Sequence, residues 1–117
     1  MQFGRTKRKG KNKFHLPLLV RVPLRDVTLM PGRDTAEGKL RFFIAVADEE
    51  GGLAAVRQEP YPVSVPADRL QEARGQEIGY LATLLIRPGQ STVAVGVWDE
   101  ISGAESFVRE VVQVGKK

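Results

Sequence analysis

Two acidic clusters are the densest collections of metal-binding side chains in this 117-residue sequence: Asp48, Glu49 and Glu50 in FFIAVADEEGG, and Asp99 and Glu100 in AVGVWDEISG. Carboxylate oxygens are the hard ligands that calcium requires. Asp48, Glu49, Asp99 and Glu100 are therefore the candidate calcium ligands, provided that one end of the fold brings both clusters together. Within each cluster the acids are adjacent rather than alternating as in a ligand loop, and each runs into glycine. Asp caps its own turn and Gly accepts positive φ, so the same residues read first as two hairpin turns. Turns of this kind lie at the ends of a β domain. Asp48, Glu49, Glu50, Asp99, Glu100 and Ile101 are accordingly the candidate partner-binding residues.

Other chemistry finds fewer groups. The chain has no cysteine, which excludes disulfides, thiolate metal sites and a thiol nucleophile. His15 is the single histidine, so neither a multi-histidine metal site nor a second imidazole is available. A structural role, at the surface or half-buried, is expected for it. A carbohydrate-binding or small hydrolase domain would need a concave site where Trp98, Tyr61 or Tyr80 meets carboxylates. Trp98 shares its parity with Ala94 and Gly96, small neighbours that leave room for an indole, and is expected in the core. The glycines are scattered at turns, with none of the clustering between strand and helix that cradles a phosphate. No catalytic residue, cofactor or resident metal is expected.

Charge is distributed unevenly. The formal net charge is +4, yet Arg5, Lys7, Arg8, Lys9, Lys11 and Lys13 stand in residues 1–13 without an acid. Residues 14–117 keep twelve bases against fourteen acids. The body is thus not basic, and nucleic-acid or anionic-surface contact would have to run through the tail. Residues 1–13 read as a basic flexible leader or linker, and residues 14–115 as one domain. No stretch is apolar for the length of a membrane span, and no signal-peptide pattern follows the basic start.

The elements that would position these residues are about seven strands. Leu16, Leu18, Val20, Val22 and Leu24 alternate along 14–24, with Pro17 and Pro23 on the other face, the mark of an edge strand. A short step over 26–30 leads to Pro31-Gly32. Gly38 opens a strand carrying Leu40, Phe42, Ile44 and Val46 on one face. Its hairpin partner spans 53–59, followed by an extended piece over 61–65 among Pro60, Pro62 and Pro66. The phrase 66–75 is helical and reads as a crossover between sheets. Strands over 77–87, 91–98 and 104–114 should form a consecutive antiparallel meander. Arg41, Arg87, Glu105, Arg109 and Glu110 look like solvent-face charges.

The segments VRVPLRDVTLMP, KLRFFIAVADEEGGLAAVRQEPYPVSVP, GQEIGYLATLLIRPG and VAVGVWDEISGAESFVREVVQVG resemble the C-terminal β-sandwich segment of bacterial von Willebrand factor A-related (VWFA-related) proteins. The similarity covers residues 14–115. The Asp-x-Ser-x-Ser motif by which the von Willebrand A domain of such proteins binds metal is absent, so no functional residue carries over. The resemblance implies a non-catalytic accessory domain of a longer, extracytoplasmic protein. The expectation is an all-β, immunoglobulin-like or fibronectin-like antiparallel sandwich. Its function would be structural or protein-interacting, with a protein partner or a neighbouring domain of the same chain.

Overall fold

Period-two alternation of apolar and polar residues runs through every long segment, and each such segment is a strand in the computed structural model, which describes all residues except 9, 11, 12, 116 and 117. Among the described residues the strands are β1 (Gln2–Phe3), β2 (Lys7–Arg8), β3 (Phe14–Pro23), β4 (Met30–Pro31), β5 (Thr35–Asp48), β6 (Leu53–Pro66), β7 (Glu77–Ile86), β8 (Gly89–Asp99) and β9 (Glu105–Val114). They form two antiparallel sheets, and the chain is an all-β sandwich. In one sheet β3 lies between β7 and the two short strands β1 and β2. In the other, β5 lies between β6 and β8, β4 extends the β8 side of β5, and β9 closes the far edge.

The core is the set of side chains that the two inner faces share. β3 contributes Leu16, Leu18 and Val20, β5 contributes Leu40, Phe42, Ile44 and Val46, β7 contributes Ile78, Tyr80, Ala82, Leu84 and Ile86, and β8 contributes Val93 and Val95. Tyr80 stacks on Phe42 with centroids 4.3 Å apart, and Tyr61 meets Phe42 edge-on at 5.6 Å. Loss of the Phe42 side chain from this stack would cost about 3–5 kcal/mol. Two contacts join the β6 and β7 edges: the Tyr80 hydroxyl donates to Glu59, and Arg57 Nη2 donates to the Thr83 carbonyl at 3.5 Å.

Several expected boundaries move, each for a local reason. β3 is an internal strand rather than an edge, since β7 pairs with its whole length. Pro17 nevertheless leaves its mark: it lacks an N–H where the ladder is interrupted between β1 and β2, and its carbonyl accepts the Gly4 N–H at 2.9 Å. The basic segment thus has two stretches laid along β3. β5 begins before Gly38, which sits inside the strand under the chain crossing at Val27–Leu29; a Cβ there would stand 3.0 Å from the Thr28 carbonyl oxygen. β6 is continuous through Pro60, Pro62 and Pro66. Those prolines share one parity and so omit their N–H groups on the same side of the strand, and β6 pairs with β5 alone.

The expected meander of the last three strands is broken. β7 pairs with β3, whereas β8 pairs with β5 and β9 in the opposite sheet. Arg87 and Pro88 carry the chain between layers, and only β8 and β9 form a hairpin. The crossover from β6 to β7 follows the expected phrase, with a 3-10 turn over Ala67–Arg69 and the single α-helical turn α1 (Leu70–Ala73). Its short length makes it a connector. No helix among the described residues is long and apolar enough to cross a membrane.

Candidate functional site

The two acidic turns do not converge. In the antiparallel register of β5 and β8, Asp99 lies beside Leu40 while Asp48 lies beside Ser91. Eight residues of extended chain, about 27 Å, separate the two positions along the sheet. The expectation of one end carrying both clusters is corrected by this register: each turn follows the C-terminal end of its strand, and because β5 and β8 run antiparallel those ends are opposite. Among the described residues no three His, Cys, Asp or Glu side chains gather into a metal-binding set.

Each aspartate has a local structural task. Asp48 Oδ1 accepts the Glu50 N–H at 3.0 Å and the Gly52 N–H at 2.9 Å, closing the β5–β6 turn. Glu49 Oε1 accepts the Gln90 N–H at 2.8 Å and so ties that turn to the start of β8. Asp99 is only 6% exposed. Its Oδ2 accepts the Thr28 N–H at 2.8 Å, and its Oδ1 accepts the Ile101 and Ser102 N–H groups at 3.0 and 3.2 Å. Burial pushes the Asp99 carboxyl up, but the hydrogen bonds from Thr28, Ser102 and Ile101 together outweigh it and hold the group below the usual carboxylate range. Glu100 pairs with Arg41 at 3.5 Å, and its N–H donates to the Lys39 carbonyl. Glycine completes both turns, with φ of 84° at Gly51 and 81° at Gly103.

The aromatics separate in a similar way. Tyr61 and Tyr80 belong to the inner stack, whereas Trp98, opposite Arg41 in β5, projects from the outer face of the same sheet. Trp98 is half-buried there rather than in the core, because its odd-numbered neighbours Val93, Val95 and Val97 take the inward positions. These three aromatics therefore cannot line one concave site. His15 is half-buried on β3 opposite Leu85.

What the outer face does assemble is an apolar surface. Phe43 and Trp98 stack at 6.5 Å between centroids. The Phe107 ring covers Gly96, which has no space for a Cβ beneath it, so the glycine is what admits the ring to the sheet surface. Phe107 is still 63% exposed, and Val111 and Val56 on flanking rows are 64% and 65% exposed. The sequence signal for this face is the unbroken apolar run Phe42–Ala47, in which Phe43, Ala45 and Ala47 carry a second apolar face behind the core-facing one.

No protein-family model and no curated protein matches the chain.

A second feature lies where the sheets open on the β9 side. A cleft of about 270 Å³ is lined by Val20, Val22, Val95, Val97 and Val108. Val108 faces inward opposite Val95 yet is 48% exposed, since the facing sheet has no long strand to cover it. In the basic segment Arg5, Lys7, Arg8 and Lys13 are exposed, and the Arg8 guanidinium stands 5.9 Å from the Phe14 ring centre. Lys9 and Lys11 lie outside the described residues.

Proposed function

We propose that this chain is a non-catalytic structural or protein-interaction module: an immunoglobulin-like sandwich serving as an accessory domain of a larger VWFA-related protein. The observation that carries the interaction reading is the apolar outer face of the β6–β5–β8–β9 sheet, with Phe43, Trp98 and Phe107 as adjacent aromatics and Val56 and Val111 beside them. Aromatic anchors with small apolar neighbours are the composition of an interface core, and solvent gains nothing from them. The partner is a protein surface or a neighbouring domain with a complementary apolar patch. The acidic turns lie at the two ends of this face and would supply its polar rim.

A photocrosslinking residue placed at Phe107 in the native host, compared with one at exposed Arg69 on the crossover, tests the reading. Crosslinks to a defined protein, or within a longer chain containing these residues, are expected from position 107 and not from 69. Equal crosslinking from the two positions, or none from 107, removes the face as a binding surface.

The exposed side chains of Arg5, Lys7, Arg8 and Lys13 favour a second reading, anionic-surface or nucleic-acid binding by the tail. Its signature is affinity that falls steeply with salt and disappears when residues 5–13 are deleted.

A further inference from the structure

β9 differs from the other long sheet edges. β7 also lacks proline and lysine, but its free side lies against β6, where the Tyr80 hydroxyl donates to Glu59 and Arg57 donates to the Thr83 carbonyl. β6 carries Pro60, Pro62 and Pro66 along its outer side, and the β1/β2 edge is interrupted opposite Pro17. β9 holds ten residues with no proline and no lysine, and its register with β8 is even from Gly89–Val114 to Trp98–Glu105. It lacks most of the devices that blunt an edge strand. No described strand pairs with its other side.

The free hydrogen-bonding groups can be assigned. The Asp99 N–H donates to the Ala104 carbonyl at 2.8 Å, so 99 and 104 form a hydrogen-bonded pair. Such pairs alternate along an antiparallel ladder. Residues 106, 108, 110 and 112 therefore direct their main-chain groups to β8, and Glu105, Phe107, Arg109 and Val111 direct theirs outward. These outward-bonding residues are the ones whose side chains lie on the apolar outer face.

We infer that β9 pairs with β9 of a second copy of this chain, antiparallel about a two-fold axis at Phe107. The inference rests on the interaction-module reading and names one partner for it. In this register Phe107 faces its own copy, and Glu105 of each chain faces Arg109 of the other, giving two ion pairs at once. Glu105 and Arg109 are exposed and make no ion pair among the described residues. Charge selects this register over its neighbours. Centring on Arg109 or Glu110 sets like charges opposite each other, and centring on Val108 places Phe107 against Arg109. Centring on Val111 makes as many main-chain bonds but leaves Glu105 and Arg109 unpaired. The chosen register also joins the two Phe43–Trp98–Phe107 groups into one surface and sets half-exposed Val108 beside Ser106 of the second copy.

Sedimentation equilibrium of the full chain tests this. The wild type is expected to approach twice 12.9 kDa as concentration rises. Glu105→Arg and Arg109→Glu each convert both ion pairs into like-charge contacts, and each should weaken dimerisation by at least about tenfold. An equimolar mixture of the two variants regains the dimer, because one chain then presents two arginines and the other two glutamates. That recovery also shows that both variants are folded. Wild type that stays monomeric, or single variants that dimerise as well as wild type, overturns the pairing. Either result leaves the interaction-module reading to the separate crosslinking at position 107, which still captures a different protein if that reading holds.

Discussion

The Asp99 carboxylate accepts the Thr28 main-chain N–H at 2.8 Å, a contact between residues 71 positions apart in the sequence. It fixes the segment crossing between the sheets to the β8–β9 turn. The same carboxylate satisfies the Ile101 and Ser102 N–H groups. Asp99→Ala leaves all three donors to find other partners and is expected to cost about 3 kcal/mol, with Asp99→Asn costing about half as much because one oxygen remains. Urea unfolding measures both values. A loss under about 1 kcal/mol for the alanine variant would show that water replaces the carboxylate without penalty.

Acid stability follows from the same group. The folded Asp99 pKa lies below its unfolded value, so the unfolded chain takes up the proton first as pH falls. The Asp99 contribution is full above about pH 4 and is lost as pH drops through the folded value. Thermal unfolding midpoints should hold steady near neutrality and decline in that acidic window. Asp99→Asn, with nothing left to titrate, should flatten the decline; a variant curve as steep as wild type would assign acid loss to other carboxylates.

Tyr80 supplies the opposite limb. Burial raises its phenol first, and the adjacent Glu59 carboxylate raises it further through their hydrogen bond and its charge, against a smaller lowering by Arg57. Because the folded pKa is raised, this contribution is intact below the unfolded value of about 10 and is lost as pH rises through the folded one. Tyr80→Phe keeps the stack on Phe42 and removes the hydroxyl's links to Glu59 and Arg57, for a cost of about 1 kcal/mol. Ultraviolet titration of the phenols should find one group that ionises above the ordinary tyrosine range and is missing from the variant. If the variant instead loses a phenol that ionises in the ordinary tyrosine range, neither burial nor Glu59 holds the Tyr80 proton.

Local chemistry written in period two was legible from the sequence. The inward residues of β3 and β5, the hairpin turns at Asp48 and Asp99, and the crossover at 66–75 all follow from alternation, Asx chemistry and proline placement. What failed was sheet membership. Nothing in the 77–87 pattern tells whether its hydrogen-bond partner is β8 or the distant β3, because either choice buries Ile78, Tyr80 and Leu84 equally well. Gly38 lies inside β5 and not at its start, because its constraint comes from Thr28 packing over it and not from its own backbone. Parity relates Trp98 to Ala94 and Gly96 but does not say which face is the core. The aromatic surface is present as the run Phe42–Ala47, whose apolar residues fall on both faces of the strand.

Calcium should leave the protein unchanged. A bound ion that prefers the folded state raises the unfolding temperature in proportion to its occupancy. Here the carboxylates nearest to forming a site are separated by the length of the β5–β8 register, and Asp48 and Asp99 already accept two and three main-chain N–H groups. Binding calcium at either turn would require those bonds to be given up for too few remaining oxygens. Thermal scans with millimolar calcium and with chelator are expected to agree within about 1 °C. A calcium-dependent rise that Asp48→Asn abolishes would show that the β5–β6 turn opens to hold the ion, and the same experiment with Asp99→Asn would separate the two ends of the sheet.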